Sequence, residues 1–266
     1  MIRKCNEQDR AQLMQFISKR PAENLFMIGD IEAYGFEHDI QTVWAQYEGE
    51  ELIAVMLLFT SNHILYSEGE YDAKGFAEII LTYKGRFEIS GLQEVVKQIR
   101  PHIPNDTYRD VETYYAKCEK LAYSIEENDY SDVVKLQPEE YEENIELLRS
   151  IPEFKNGNFS VESRVRAEKD KTGRTYIIRN EHGVMTSSAT ATAENSQSAM
   201  IVGVGTRPGY EKRGYATKIV EKLATDLLSE QKIVCLFYHN PKAGAIYKRI
   251  GFKDIGMWSL IGYNGE

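Results

Sequence analysis

The sequence is poor in cysteine and proline, has no excess of positive charge and contains no long apolar run. Its three cysteines, Cys5, Cys118 and Cys235, are odd in number and lack metal-ligand spacing. They exclude a disulfide scaffold and a zinc finger, and point to reduced, mostly buried thiols in a cytosolic protein. A formal charge of -9 argues against a general nucleic-acid binder, which needs a basic face. The longest apolar run, Leu52 to Phe59, is too short to span a bilayer and reads as a buried strand. Met1 to Arg10 has no apolar core of the signal-peptide kind. No membrane segment is expected, and the predicted localisation is cytoplasmic. What is present is ordinary for a globular chain: 42% hydrophobic and 27% charged residues over 266 positions, enough for one large domain or two moderate ones.

The pattern divides into two blocks on a similar plan. In the second, Ser131 to Leu136 reads as a strand and Pro138 opens a helix with acidic residues in its first turn. Thr175 to Arg179 and Val184 to Ala193 form a hairpin about the turn Asn180 to Gly183. Another turn, Glu194 to Ser198, leads into the strand Ala199 to Thr206. From Gly214 onward Ala216, Ile219, Val220, Leu223, Ala224, Leu227 and Leu228 follow helical spacing. Ile233 to Tyr238 is a strand, Lys242 to Ile250 a helix and Phe252 to Ile261 a final strand. The first block offers a short strand from Ile2, helices at Glu7 to Ser18 and Ala22 to Tyr34, and a hairpin of Thr42 to Tyr47 with Leu52 to Phe59. A strand from His63, a helix after Asp72 and a strand from Arg86 complete it. The blocks align weakly, with Gly75 at the place of Gly214. The acidic stretch Ile125 to Asp132 is the expected boundary, giving domains 1–127 and 128–266.

Residues 198–252 carry the chemistry. Pro208 ends a strand because it cannot donate to the ladder. Gly214 allows a backbone conformation closed to other residues, and the amides of Lys212 to Thr217 are then unpaired donors at a helix start. Lys212 and Arg213 add positive charge there, as an anion such as a phosphate would require. An exposed basic helix start is the plainer explanation of that turn taken alone. A second helix start follows at Asn240, with small residues Ala243, Gly244 and Ala245 that leave room for something thin beside the preceding strand, and Tyr247 one turn later. Gly203 and Gly205 suggest a bulge or a ligand against the backbone. The turn lacks the Walker arrangement of a nucleotide-phosphate loop.

These two segments resemble the GCN5-related N-acetyltransferase (GNAT) superfamily. Glu211 to Ala216 occupies the signature Arg/Gln-x-x-Gly-x-Gly/Ala. Asn240, Ala243, Tyr247, Gly251 and Phe252 match Asn-x-x-Ala-x-x-x-Tyr-x-x-x-Gly-Phe throughout. The resemblance implies an α/β (α+β) fold of two tandem acetyltransferase-like domains, each a mixed, mostly antiparallel twisted sheet flanked by helices. It implies acetyl-CoA as co-substrate with no metal. Pyrophosphate contacts would come from the amides of Lys212, Arg213, Gly214, Tyr215, Ala216 and Thr217. Pantetheine contacts would come from the backbone around Val204, Gly205 and Thr206, and Asn240 and Ala243 would line the coenzyme arm. Tyr247 would protonate the departing thiolate; the competing reading is a core tyrosine with a satisfied hydroxyl. Glu211 departs from the signature, and a carboxylate beside a pyrophosphate is unfavourable, so weakened but retained binding is expected. The first block lacks the second signature and is expected to hold no coenzyme.

Transfer to an amine with a pKa near 10.4 costs on the order of 4–5 kcal/mol of deprotonation at neutral pH, so a base is expected. The strand Ala199 to Thr206 carries no acid. Glu194 is the nearest candidate, and a solvated turn carboxylate is an equally good account of it. His239 also adjoins the site, and a weak α-amine would need almost no help. The small residues Thr186 to Ala193 either leave room for an acceptor or pack under a helix. The expected partner is a small-molecule or peptide amine, with a homodimer left open, and acidic composition weakly suits a cationic acceptor. The leading function is an acetyl-CoA-dependent N-acetyltransferase. Its rival is a non-catalytic coenzyme A-binding sensor or scaffold.

Overall fold

A computed structural model describes residues 1–124 and 128–265. Ile125, Glu126 and Glu127, inside the acidic stretch expected to divide the chain, lie outside the described residues, as does Glu266. The chain forms two compact units: Met1–Tyr115 with Ile255–Glu266, and Ala116–Asp254.

The first unit begins with β1 (Ile2–Lys4), a 3-10 turn at Glu7–Asp9, α1 (Arg10–Ile17) and α2 (Leu25–Tyr34). It continues with β2 (Gln41–Glu48), β3 (Glu51–Phe59), β4 (Asn62–Ser67), α3 (Ala73–Ile80), β5 (Phe87–Leu92) and α4 (Gln93–Ile99), and leads into β6 (Thr107–Cys118). Neighbours β1 to β4 pair antiparallel, whereas β4 and β5 pair parallel. A parallel pair needs a crossover connection, and α3 supplies it.

The second unit repeats that plan. It contains β7 (Val133–Lys135), α5 (Tyr141–Ser150), α6 (Val161–Lys169), β8 (Arg174–Arg179), β9 (Met185–Thr192), β10 (Ser198–Thr206), α7 (Tyr215–Ser229), β11 (Ile233–Tyr238) and α8 (Pro241–Ile250). Strands β7 to β10 pair antiparallel and β10 pairs parallel with β11, with α7 as the crossover. Successive strand residues face opposite sides of a sheet. Ile178 accordingly joins the core with Ile219, Val220, Leu223 and Leu227 of α7, while Ile177 joins Tyr141 and Leu147 of α5. Helix α7 therefore covers one face of this sheet and α5 the other.

The final strand, β12 (Lys253–Tyr263), corrects the expected boundary. It does not close the second block. From Ile255 it belongs to the first unit, pairing antiparallel with β5 from Trp258↔Leu92 to Tyr263↔Phe87. Its apolar side chains are buried there: Trp258 sits edge-on to Tyr115 at 5.5 Å and Tyr263 stacks on Phe87 at 5.2 Å. At the end of β6, Ala116 and Cys118 lie in the core of the second unit. Each unit thus takes part of a strand from the other half of the chain, and the division at 127/128 is replaced by the one above.

All three cysteines are buried free thiols. Burial pushes the Cys5 thiol up to about 12 and the Cys118 thiol up to about 11. No described helix is long and apolar enough to cross a membrane.

Candidate functional site

The parallel pair β10–β11 organises the site. Its ladder runs from Ser198↔Ile233 to Ile201↔Leu236 and stops there, although β10 continues to Thr206 and β11 to Tyr238. Pairing of β10 with β9 also shifts between Val202 and Gly205, and Gly203 has φ +60°. A bulge bends the strand that carries it. The backbone of β10 beyond Val202 thus has no ladder partner on the β11 side. Both strands run in the same direction, so the helices that follow them, α7 and α8, start at the same end of the sheet.

At that end the start of α7 leaves backbone donors open. Gly214 stands at the N-cap of α7 with φ +83°, and no side chain caps the helix. The amides of its first turn are therefore donors without an intrahelical acceptor. A Cβ on Gly214 would meet nothing within 4 Å, so open space lies over the turn. Lys212 also adopts a left-handed conformation, φ +63°, as a non-glycine residue does only when its surroundings require it. The carboxylate of Glu211 accepts from the Gly209 amide at 2.7 Å, a bond inside the loop. The Arg213 guanidinium lies over the Tyr210 ring at 5.1 Å. The matching helix of the first unit is closed instead: at α3 the Asp72 carboxylate accepts from the Gly75 amide at 2.9 Å, and a Cβ on Gly75 would meet that carboxylate at 2.5 Å.

Helix α8 brings Tyr247 to the same end of the unit. The ring packs between Tyr238 and Phe252, each at 6.0 Å between centroids. Its hydroxyl hydrogen-bonds to no other group among the described residues. The core-tyrosine alternative required a satisfied hydroxyl, and no described group satisfies this one. Burial pushes its pKa up to about 12, keeping the phenol protonated through the neutral range. Asn240 caps α8, its side chain accepting from the Lys242 amide at 2.9 Å.

Two expectations need correction. The space beside Gly244 is filled by protein, because a Cβ there would meet the Tyr238 ring at 2.4 Å. The small first turn of α8 therefore accommodates an aromatic side chain at that point and leaves no thin channel. Gly205 likewise faces the Ile151 side chain, which a Cβ on this glycine would meet at 2.4 Å, and its main chain is paired with Ser188 of β9, so it offers a ligand neither.

Glu194 stands apart from Tyr247 and Gly214. It precedes β10, at the end of the strand remote from the start of α7. Nine residues of strand span roughly 27 Å. Its carboxylate accepts from Arg174 at 3.0 and 2.7 Å and from Lys232 at 2.9 Å, with the side chain 2% exposed. It is neither a solvated turn carboxylate nor positioned as a base for this site. His239 is exposed at the end of β11. No group of His, Cys, Asp and Glu among the described residues is arranged to hold a metal.

Sequence reasoning passed over a cavity of about 210 Å3 on the α5 face of the second unit. Val202 and Gly203 of β10, Thr190 of β9, Thr175 of β8 and Arg164 of α6 line it. The packing reading of Thr186 to Ala193 holds on one face, where Ala189 and Ala191 belong to the core beneath α7; on the other, Thr190 and Thr192 line the cavity. No apolar period marked α6, which buries no residue.

Comparison with known proteins bears on the fold. Residues 179–259 match the family model described as FR47-like protein. Across its whole length the chain resembles a Drosophila protein of solved structure, with TM-score 0.72, 10% identity and coverage of 100% of this chain and 99% of that one. A tandem GNAT protein from the clavulanic acid biosynthesis pathway gives TM-score 0.57 at 10% identity, covering 98% and 97% of the two chains. A GCN5-related N-acetyltransferase from Kribbella flavida gives 0.56 at 17% identity, covering 80% and 87%. Among curated protein sequences none matches significantly. The chain has the fold of GNAT proteins, in the tandem form, and the matched segment lies mostly in its second unit, ending at Ser259 of β12.

Proposed function

We propose that this chain is an acetyl-CoA-dependent N-acetyltransferase acting through its second unit. The observation that carries the reading is the coincidence, at one end of that unit, of an uncapped α7 start, an interrupted β10–β11 ladder and the unpartnered Tyr247 hydroxyl. The residues fit the coenzyme chemically. Amides of Lys212 to Thr217 would hold the pyrophosphate, with Lys212 and Arg213 contributing charge. Main-chain groups of Val204 and Thr206 would pair with the pantetheine arm, since β11 has left them, and Asn240 and Ala243 would flank it.

Bound acetyl-CoA would supply an acetyl thioester, whose carbonyl carbon takes the amine's electron pair as the C–S bond breaks and the pair departs on sulfur. Tyr247 acts there as the proton donor, hydrogen-bonding first to the sulfur as its charge grows. The amine must arrive as the free base, and the proton that its nitrogen sheds after attack passes to water, from which the Tyr247 phenolate regains its own. Glu194, held by two cations, does not serve it; water or a weakly basic acceptor does. The test is thiol release from acetyl-CoA over an amine panel. Tyr247→Phe should lower kcat by about 10²-fold or more while leaving coenzyme affinity nearly unchanged. Coenzyme binding with no thiol release over a broad panel would instead support the scaffold reading.

A further inference from the structure

Arg164 on α6 is an arginine without a carboxylate. Two other half-buried arginines of this unit are doubly paired: Arg174 holds Glu194 and Glu230, and Arg179 holds Glu140 and Glu143. The Arg164 guanidinium makes one side-chain hydrogen bond, from Nη1 to the Thr175 hydroxyl at 2.8 Å, and no acid lies within ion-pair distance among the described residues. It is half-buried, and burial pulls its pKa below the ordinary arginine value. A desolvated guanidinium with most of its donors unused is unfavourable unless an anion completes it. Glu168, on the same helix and the same cavity wall, is already committed: it accepts from the Tyr141 hydroxyl at 2.6 Å and from Lys135 at 3.5 Å.

The cavity places this charge in line with the proposed reaction centre. Thr175 is opposite Thr190, and Thr190 is opposite Val202, so the three form one rung across β8, β9 and β10. That rung is the first beyond Ile201↔Leu236, where β10 parts from β11. Val202, in the middle of a sheet, is 39% exposed because the cavity opens over it. Two strand spacings separate Thr175 from Val202, roughly 10 Å. A short molecule held at Arg164 by one end could therefore present its other end at the parted strands.

We propose that the cavity binds a small amine carrying a carboxylate or phosphate group, with Arg164 as the residue that recognises the acid end. A guanidinium matches either oxyanion through paired N–H donors. The molecule would be the acceptor of the proposed acetyl transfer. That role rests on the acetyltransferase reading, whereas the binding itself does not.

Calorimetric titration of the full chain tests the proposal without requiring turnover. The probes are ω-amino acids from glycine to 6-aminohexanoate, phosphoethanolamine, and the matching amines with a neutral amide or hydroxyl in place of the acid. The acids should bind at least about tenfold more tightly than their neutral counterparts, as expected for a charge-assisted pair. Stronger binding of phosphoethanolamine than of every amino acid would assign the oxyanion as phosphate, and the reverse as carboxylate. Arg164→Gln should abolish the preference, Arg164→Lys should retain part of it, and coenzyme A titration of both variants should match the parent, showing that they are folded. Equal binding of the neutral amines, a preference surviving Arg164→Gln, or no binding by any acid would overturn the proposal. Thiol release, measured separately, reports on the acetyltransferase reading alone.

Discussion

Two glycines of the second unit serve opposite purposes, and the same substitution separates them. At Gly214 the left-handed backbone, φ +83°, is the requirement, and the space above it is empty. Gly214→Ala should cost about 1–2 kcal/mol through backbone strain and also put a methyl group into the space assigned to the pyrophosphate. At Gly244 the requirement is room, since a Cβ would strike the Tyr238 ring at 2.4 Å. Tyr238 is fixed by its hydroxyl bond to Asp254 at 2.7 Å, so the ring cannot easily swing away. Gly244→Ala should cost about 1–3 kcal/mol through overpacking. Thermal melts with and without coenzyme A distinguish the two. The ligand-induced rise in Tm should shrink strongly for Gly214→Ala and persist in Gly244→Ala. An equal loss in both would remove the anion role from the α7 turn. The sequence marked both positions as special, but only the three-dimensional structure tells a conformational glycine from a steric one.

At the scale of elements, Arg174 on β8, Glu194 before β10, Glu230 at the end of α7 and Lys232 before β11 form one ionic cluster. It ties the crossover helix to the strands at the end remote from Gly214. Hydrogen bonding from Arg174, aided by Lys232, lowers the Glu230 pKa to about 2. A depressed carboxylate stabilises the fold fully above its ordinary range and loses that contribution as pH falls toward the folded value. Melting temperature should therefore drop between about pH 4.5 and 2, and Glu230→Gln should flatten that part of the profile. Glu194→Gln leaves buried cations short of a partner and should cost about 3 kcal/mol, with the acidic limb of any pH–rate profile unmoved. A shifted limb would restore Glu194 as a base. The elements themselves were legible because Tyr176, Ile177 and Ile178 make a short apolar run in β8 and apolar residues recur at three-to-four spacing in α7. This cluster was not, because Arg174 and Lys232 lie 20 and 38 positions from Glu194, and nothing local in the sequence links them.

For the whole molecule, the repeated plan was readable and its division was not. A segment such as Trp258 to Tyr263 declares itself a strand by composition, but a ladder partner is chosen by distant surfaces that periodicity does not encode. That partner is β5, and Ile255–Glu266 belongs with the first unit. Trp258, Ile261 and Tyr263 are 6%, 1% and 3% exposed. Burying three such side chains contributes roughly 5 kcal/mol or more, a large share of the stability of an ordinary domain. Ending the chain at Asp254 should therefore disrupt the first unit, although the family segment 179–259 loses only its last five residues. Hydrogen exchange measured on the truncated chain gives the decision. Amides of β5 should lose their protection, because their β12 partners are gone, while those of β9, β10 and α7 keep theirs. Coenzyme A should still protect the α7 start, since Gly214, Asn240 and Tyr247 all remain. The opposite pattern, with β5 protected and β10 exchanging freely, would return the last strand to the second unit and restore the division first expected near residue 127.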